Sequence, residues 1–296
     1  MQCRVELRQD DPAFWDRLLD VPDEEVWDVR RALRRHLFSF MRERARQLWT
    51  EGHVSAPRIA AAGVLLDPEA LTIGYARRFT GYKRPWLVFA DEDRLARVLG
   101  SANRPVQLIF AGKAHPADHE GRRHLHEVFK RAVNPRFGGR IAFLEDYDLH
   151  VAHFLVQGCD AWLNTPREPL EACGTSGMKA AMNGVPHLSI GDGWWAEGYT
   201  GSNGWLIRGG ADGHDAAAAD AADAAALYRL LEGSVVPAFF DRDVQGIPRR
   251  WVRTVKDAIR TTVPRFSARR MLTQYAEEMY GPALRDAATR RSTARA

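Results

Sequence analysis

Three segments of this 296-residue sequence collect residue types suited to chemistry on anions. In the first, Arg77, Arg78, Lys83 and Arg84 place four cations within eight residues, around Gly81-Tyr82. Planar guanidinium forks and a compact ammonium suit a multiply charged anion such as phosphate, with a solvated basic loop as the competing reading. The second, Ala111–Asp118 ("AGKAHPAD"), has small residues for a tight turn and a lysine, Lys113, expected beside the same crevice. His115 and His119 stand four apart, a spacing that can bind a metal on one helix face. Pro116 is expected to start a helix only after His115, so no metal is assigned. His124 and His126 read as surface or packing residues. In the third segment, Asn164–Lys179, Gly174 and Gly177 bracket Thr175 and Ser176 just before a short helix expected over Met178–Met182. Such a turn offers backbone N–H groups in a concave nest at a positive helix end. It is not a Walker A loop, because the G-x-x-x-x-G-K-[ST] spacing is absent. Lys179 falls in the first turn and is expected to face the sheet, where a lysine is costly unless paired or covalently used. Glu171 is either its ion partner or the holder of a substrate hydroxyl.

Lysine is scarce. Of 42 basic residues only Lys83, Lys113, Lys130, Lys179 and Lys256 are lysines, leaving 37 arginines. Arginine-rich codon usage accounts for the bias, and a retained lysine then suggests a need for a primary amine. Lys83, Lys113 and Lys179 lie in the three segments; Lys130 and Lys256 read as surface helix positions.

These loops must be carried by regular elements. Short apolar runs at Leu71–Tyr75, Val106–Ala111, Ile141–Leu144, Ala161–Asn164, His187–Ile190 and Trp205–Ile207 read as buried strands. Between them, amphipathic stretches near 85–99, 117–133, 148–157 and 178–183 read as helices. Alternation of this kind implies an α/β fold of right-handed βαβ units around a Rossmann-like parallel sheet. In such folds ligands bind beyond the carboxyl ends of the strands, which is where all three segments fall. Upstream, Val26, Val29, Leu33, Leu37, Phe38 and Met41 recur at helical spacing, after an acidic start at Pro22-Asp23. Downstream, Ala216–Leu231 reads as a helix with Gly233 as its C-cap. The tail from Pro248 to Arg285 reads as helical and broken at Pro264, with the last ten residues frayed. The implied division is a helical connector over 1–68, a Rossmann-like cofactor- and phosphate-binding domain over 69–247, and C-terminal helices over 248–296.

Composition narrows the class. The chain is 45% apolar and 27% charged, so it is globular rather than disordered. A net charge of +4 over this length is a weak field and gives no nucleic-acid reading. Cys3, Cys159 and Cys173 are odd in number and far apart, which disfavours a disulfide framework or zinc site and fits a reducing compartment. The polar N-terminus does not look like a signal peptide, and no apolar run approaches 18 residues. The sequence reads as a soluble, cytoplasmic protein without a membrane partner.

The segments "ARRFTGYKR", "AGKAHPAD", "FLEDYD", "NTPREPLEACGTSGMKAAMNG" and "DGWWAEGY" together resemble the α-glucan (glycogen, starch and maltodextrin) phosphorylases, with the shorter bacterial branch most similar. The resemblance runs from about Asp11 to about Ala283. It implies the C-terminal domain of a two-domain GT-B glycosyltransferase, a hexosyltransferase that cleaves α-1,4-glucan ends with orthophosphate to give α-D-glucose 1-phosphate. It also implies a pyridoxal 5'-phosphate cofactor, with Lys179 forming its Schiff base and Thr175, Ser176, Arg77 and Tyr147 binding it. Arg78, Lys83 and Lys179 become catalytic, and Arg77, Arg78 and Lys83 become the cationic cluster that holds the cofactor and substrate phosphates. Glu171, Ala172, Cys173 and Gly174 become the loop that contacts glucose hydroxyls. In the implied mechanism the cofactor phosphate exchanges a proton with orthophosphate, which protonates the leaving oxygen and then attacks the oxocarbenium-like centre.

Two departures stand out. Cys173 occupies a position where serine is usual, and its thiol is a poorer donor. The family's chains are also at least twice as long, so residues 1–68 resemble only its interdomain connection. The C-terminal helices then have nothing evident to pack on, and a separately supplied N-terminal domain or a homo-oligomer becomes an expected partner. Two alternatives accompany this reading: a catalytically silent truncated fragment that binds glucan or a partner, and a nucleotide-sugar GT-B glycosyltransferase, which has no need of Lys179.

Overall fold

The computed structural model describes residues 8–50, 52, 55–210 and 215–285. Cys3 and the final ten residues lie outside these. Six parallel strands, β1 Leu71–Ala76, β2 Val106–Ala111, β3 Ile141–Leu144, β4 Ala161–Asn164, β5 His187–Ile190 and β6 Gly204–Ile207, form one sheet in the order β3-β2-β1-β4-β5-β6. The order reverses between β1 and β4, which is the topological switch point of a doubly wound sheet. All six expected strands are present, and the continuous burial of five of them explains why their sequences do not alternate with polar residues.

The helices are α1 Pro12–Asp16, α2 Asp23–Thr50, α3 Ala56–Ile59, α4 Glu92–Leu99, α5 His119–Ala132, α6 Leu149–Gly158, α7 Thr175–Met182, α8 Trp194–Gly198, α9 Ala216–Leu230, α10 Val236–Phe240, α11 Arg249–Phe266 and α12 Ala268–Gln274. One face of the sheet packs Ile109, Ala111, Ala142 and Leu144 against α2 and α6. The other packs Ile73, Tyr75, Leu108 and Phe110 against residues of α4, α5, α9 and α11. Aspartates start several helices: Asp118 accepts from Gly121 N, and Asp148 from Val151 N, both at 2.8 Å. Each satisfies a backbone donor that the first turn leaves free.

Several local expectations are corrected. The helix before β5 begins at Thr175, three residues earlier than expected, because Gly174 at φ +84° supplies a left-handed turn directly ahead of it. Asp118, not Pro116, starts α5. Gly233 caps nothing: a widened turn over Leu231–Val235 carries the chain straight from α9 into α10. Pro264 lies inside α11, which ends only at Phe266. In α2, Val29 is exposed, and the buried face instead contains Arg30 and Arg34. Arg30 donates to the carbonyls of Gln157, Cys159 and Asn183, two of them at the C-terminal end of α6. Arg34 Nε stands 3.2 Å from Asp160 Oδ1. Those partners make the arginines buriable, and apolar periodicity cannot register them.

The C-terminal helices do find a packing surface. Trp251, Val252 and Val255 of α11 are buried, and α11 packs against α1, α2 and α7. Lys256 is not a surface residue. It is 4% exposed, with Nζ 2.6 Å from Asp23 Oδ1 and 2.5 Å from the Val21 carbonyl oxygen. Lys130 is exposed as expected and pairs with Glu127 at 2.8 Å. Past α11, the large apolar residues Met271, Leu272, Tyr275, Met279, Tyr280 and Leu284 remain exposed.

Candidate active site

The carboxyl ends of β1, β3 and β4 surround a cleft of about 660 Å³ at the switch point. Arg77, Arg78 and Lys83 reach it from the loop after β1. Tyr147 enters from the loop after β3. Glu171, Ala172, Cys173 and Gly174 come from the loop after β4, and Thr175, Ser176 and Lys179 from the first turns of α7. Every residue to which the family resemblance gave a role thus lines one cavity. Parallel strands all end on the same side of the sheet, and this brings together segments up to about a hundred residues apart.

The charges are arranged unevenly. Glu171 is buried, and its Oε2 accepts from both the Lys83 ammonium and Arg77 Nη1, the latter at 3.1 Å. Arg77 Nη2 donates to Ser176 Oγ at 3.2 Å, while its buried Nε has no hydrogen-bond partner among the described residues. Arg78 and Lys179 are exposed within the cleft. Four cations therefore face two carboxylates, Glu171 and Asp148, among the lining residues, and the surplus positive charge suits a phosphate. Burial raises the Tyr147 phenol above its ordinary range, so it stays a hydrogen-bond donor near neutral pH.

Three expectations are corrected here. Lys179 does not face the sheet; it is exposed at the cleft, and no carboxylate among the described residues pairs with it. The helix starts three residues earlier, so this lysine is the fifth helical residue and sits on the solvent side. Glu171 pairs with Lys83 and Arg77 instead of Lys179. Lys113 lies not beside this crevice but in a separate depression with Arg122, Leu125 and Phe143. Arg84, the fourth cation of the first segment, is turned away into an internal network. It is held by Asp220 at 2.7 Å, Asp223 at 2.8 Å and the Thr165 and Pro166 carbonyls.

Other supporting residues were not singled out in the sequence. Tyr75 OH donates to the Lys83 carbonyl at 3.0 Å, and Thr165 Oγ1 to the carbonyls of Lys83 and Arg84, which fixes the backbone carrying Lys83. Asp192 accepts from Glu171 N and Gly193 N, both at 2.8 Å. His187 is fully buried below α7 between Trp194 and Trp195, and neither ring nitrogen has a hydrogen-bond partner among the described residues. Burial, reinforced by Arg77, lowers its pKa to about 3, so the ring is neutral at ordinary pH. The one available sequence signal was the Asp-Gly pair closing an apolar run at Ile190, which marks a turn.

Fold and site together define a doubly wound α/β domain with a cationic cleft at its switch point. Residues 53–197 match the carbohydrate phosphorylase family. The chain is 48% identical to the glycogen phosphorylase of Aquifex aeolicus over 282 residues, covering 95% of this chain and 40% of that protein. It is 46% identical over 274 residues to the glycogen phosphorylase of Mycobacterium tuberculosis, with 92% and 32% covered. To the maltodextrin phosphorylase of Thermococcus litoralis it is 38% identical over 275 residues, with 93% and 32% covered. Residues 53–197 thus belong to the carbohydrate phosphorylase family, and the chain spans well under half the length of these relatives.

Proposed function

We propose that this chain carries the phosphate-handling site of an α-glucan phosphorylase, a hexosyltransferase that releases α-D-glucose 1-phosphate from α-1,4-glucan ends with orthophosphate. The observation that carries the reading is the convergence of the four cations and Glu171 in one switch-point cleft. The domain would serve as the second domain of a GT-B arrangement in the cytoplasm, with the parts 1–68, 69–247 and 248–296 as connector, cofactor-binding domain and terminal helices. Among the described residues no helix is long and apolar enough to cross a membrane.

The residues fit pyridoxal 5'-phosphate. Gly174 opens α7 in a left-handed turn, so the amides of Thr175 and Ser176 lead a helix end; and among the described residues Arg77 Nε is buried with no acceptor and the Lys179 amine has no carboxylate partner within the cleft. Lys179 would hold the aldehyde, and Thr175, Ser176 and Arg77 the phosphate, with Tyr147 lining the pocket. When bound, the cofactor supplies a second phosphate that exchanges a proton with orthophosphate.

The chain's own residues do the rest. Arg78 and Lys83 hold orthophosphate, and their positive charge offsets the repulsion between two phosphates. Arg77, already bonded to Ser176, stays with the helix end. Glu171 must share or yield Lys83 when orthophosphate arrives, which frees its carboxylate to accept from a sugar hydroxyl. Residues 171–174 form the sugar-facing wall.

The exposed apolar residues at 271–284 favour a second reading, in which the chain binds a partner and is silent alone. One purification tests both. The expected result is a pyridoxal chromophore that borohydride fixes at Lys179, with phosphate-dependent release of glucose 1-phosphate once a phosphorylase first domain is supplied. Absence of the chromophore, or its mapping to another residue, overturns the assignment.

A further inference from the structure

We infer that Asp192 is a positioning residue that fixes the Glu171 loop and thereby decides how the cleft divides its cations between carboxylate and phosphate. The inference rests on the phosphorylase reading only for the identity of the ligands.

The geometry is specific. Asp192 follows β5, is mostly buried, and spends its two carboxylate oxygens on different amides: Oδ2 on Glu171 N and Oδ1 on Gly193 N, each at 2.8 Å. A third bond, Trp194 N to the Cys173 carbonyl at 2.9 Å, closes the other end of the same loop. Between them Gly193 adopts φ +57° and ψ −137°, and a side chain there would come within 2.5 Å of the Cys173 carbonyl oxygen and 2.9 Å of Glu171 Cγ. The turn over 192–194 therefore clamps residues 171–173 across 21 positions of sequence.

The clamp acts on the backbone of the residue whose side chain occupies both Lys83 and Arg77. Hydrogen bonds from amides to a carboxylate are stronger than neutral ones, so the loop is held in one place before any ligand arrives. A fixed loop presents sugar-binding groups without further ordering cost, and it keeps the Glu171 carboxylate in competition with phosphate. Releasing the clamp should therefore weaken sugar binding while leaving orthophosphate binding equal or tighter. A general loss of structure would weaken both.

The variants are Asp192→Asn, which places an amide NH2 against one of the two N–H donors, and Gly193→Ala, which strains the same turn without touching the carboxylate. Amide hydrogen exchange in peptides covering 170–175 should rise about tenfold or more in both, with peptides from α2 unchanged. Glucose 1-phosphate affinity should fall about tenfold, and orthophosphate affinity should hold or rise. Unchanged exchange at 170–175 overturns the inference, and so does an equal loss of both ligands. If the unaltered protein binds neither ligand, the phosphorylase reading falls, and the exchange result alone decides the role of Asp192.

Discussion

Arg77 Nη1 lies 3.1 Å from Oε2 of Glu171, 94 positions away in sequence, and the Lys83 ammonium meets the same oxygen. One buried carboxylate thus holds two buried cations together at the mouth of the sheet.

Glu171→Gln removes the charge that permits this arrangement. Leaving buried cations without their counter-ion typically costs about 3–5 kcal/mol. The variant should be destabilised by that order, and orthophosphate should restore more of its melting temperature than it adds to the unaltered protein. Thermal unfolding over a phosphate titration gives the comparison; an equal phosphate response in both proteins would count against a cation pair available to phosphate.

Lys179 and Arg78 should separate retention of the cofactor from use of phosphate. Lys179→Ala is expected to lose pyridoxal phosphate on purification, read by absorbance and by mass after borohydride reduction. Arg78→Ala should keep the chromophore yet lose about 10²–10³ in phosphorolysis rate, the usual cost of one preorganised charge donor. A variant of Lys179 that retains reducible cofactor would remove this lysine from its role.

His187 makes stability depend on acid. In the unfolded chain an imidazole protonates near pH 6.5, whereas the folded one resists protonation down to about 3. Its folded pKa is depressed, so the contribution is complete above the unfolded value and shrinks as pH falls toward the folded one. The loss should approach about 1.4 kcal/mol per pH unit below pH 6. Denaturant unfolding between pH 4.5 and 7.5 should show this slope, and His187→Asn should flatten it. Parallel curves for the two proteins would rule His187 out as the source.

Lys256 and Lys130 should behave oppositely. Lys256→Ala leaves Asp23 only its longer contact to Arg249, at 3.4 Å, beside a buried gap and should cost about 2–3 kcal/mol, below the full value for a buried pair because Asp23 keeps that partner and a quarter of its side chain exposed. Lys130→Ala removes an exposed pair with Glu127 and should change stability by less than about 0.5 kcal/mol. Urea midpoints of the two variants settle the contrast.

Much of the site was readable before any coordinates. The six apolar runs placed six strands, and a parallel sheet puts the loops that follow them on one side. That is why Arg77, Arg78, Lys83, Tyr147, residues 171–176 and Lys179 meet in one cleft. Local patterns also marked the acidic start of α2 and the glycine-flanked turn at Gly174, since both depend on neighbours within a few residues.

The tertiary structure decided who pairs with whom. Nothing local reveals that Glu171 belongs to Lys83 and Arg77, that Arg34 reaches Asp160, or that Asp192 binds the Glu171 amide, because each partner arrives from a distant element. The same holds for lysine burial. Lys179 seemed bound for the interior and is exposed, while Lys256 seemed exposed and is buried against Asp23. Sequence periodicity reports hydrophobic faces, and a charged side chain goes inside only when a counter-charge or a set of acceptors from elsewhere in the fold is waiting for it.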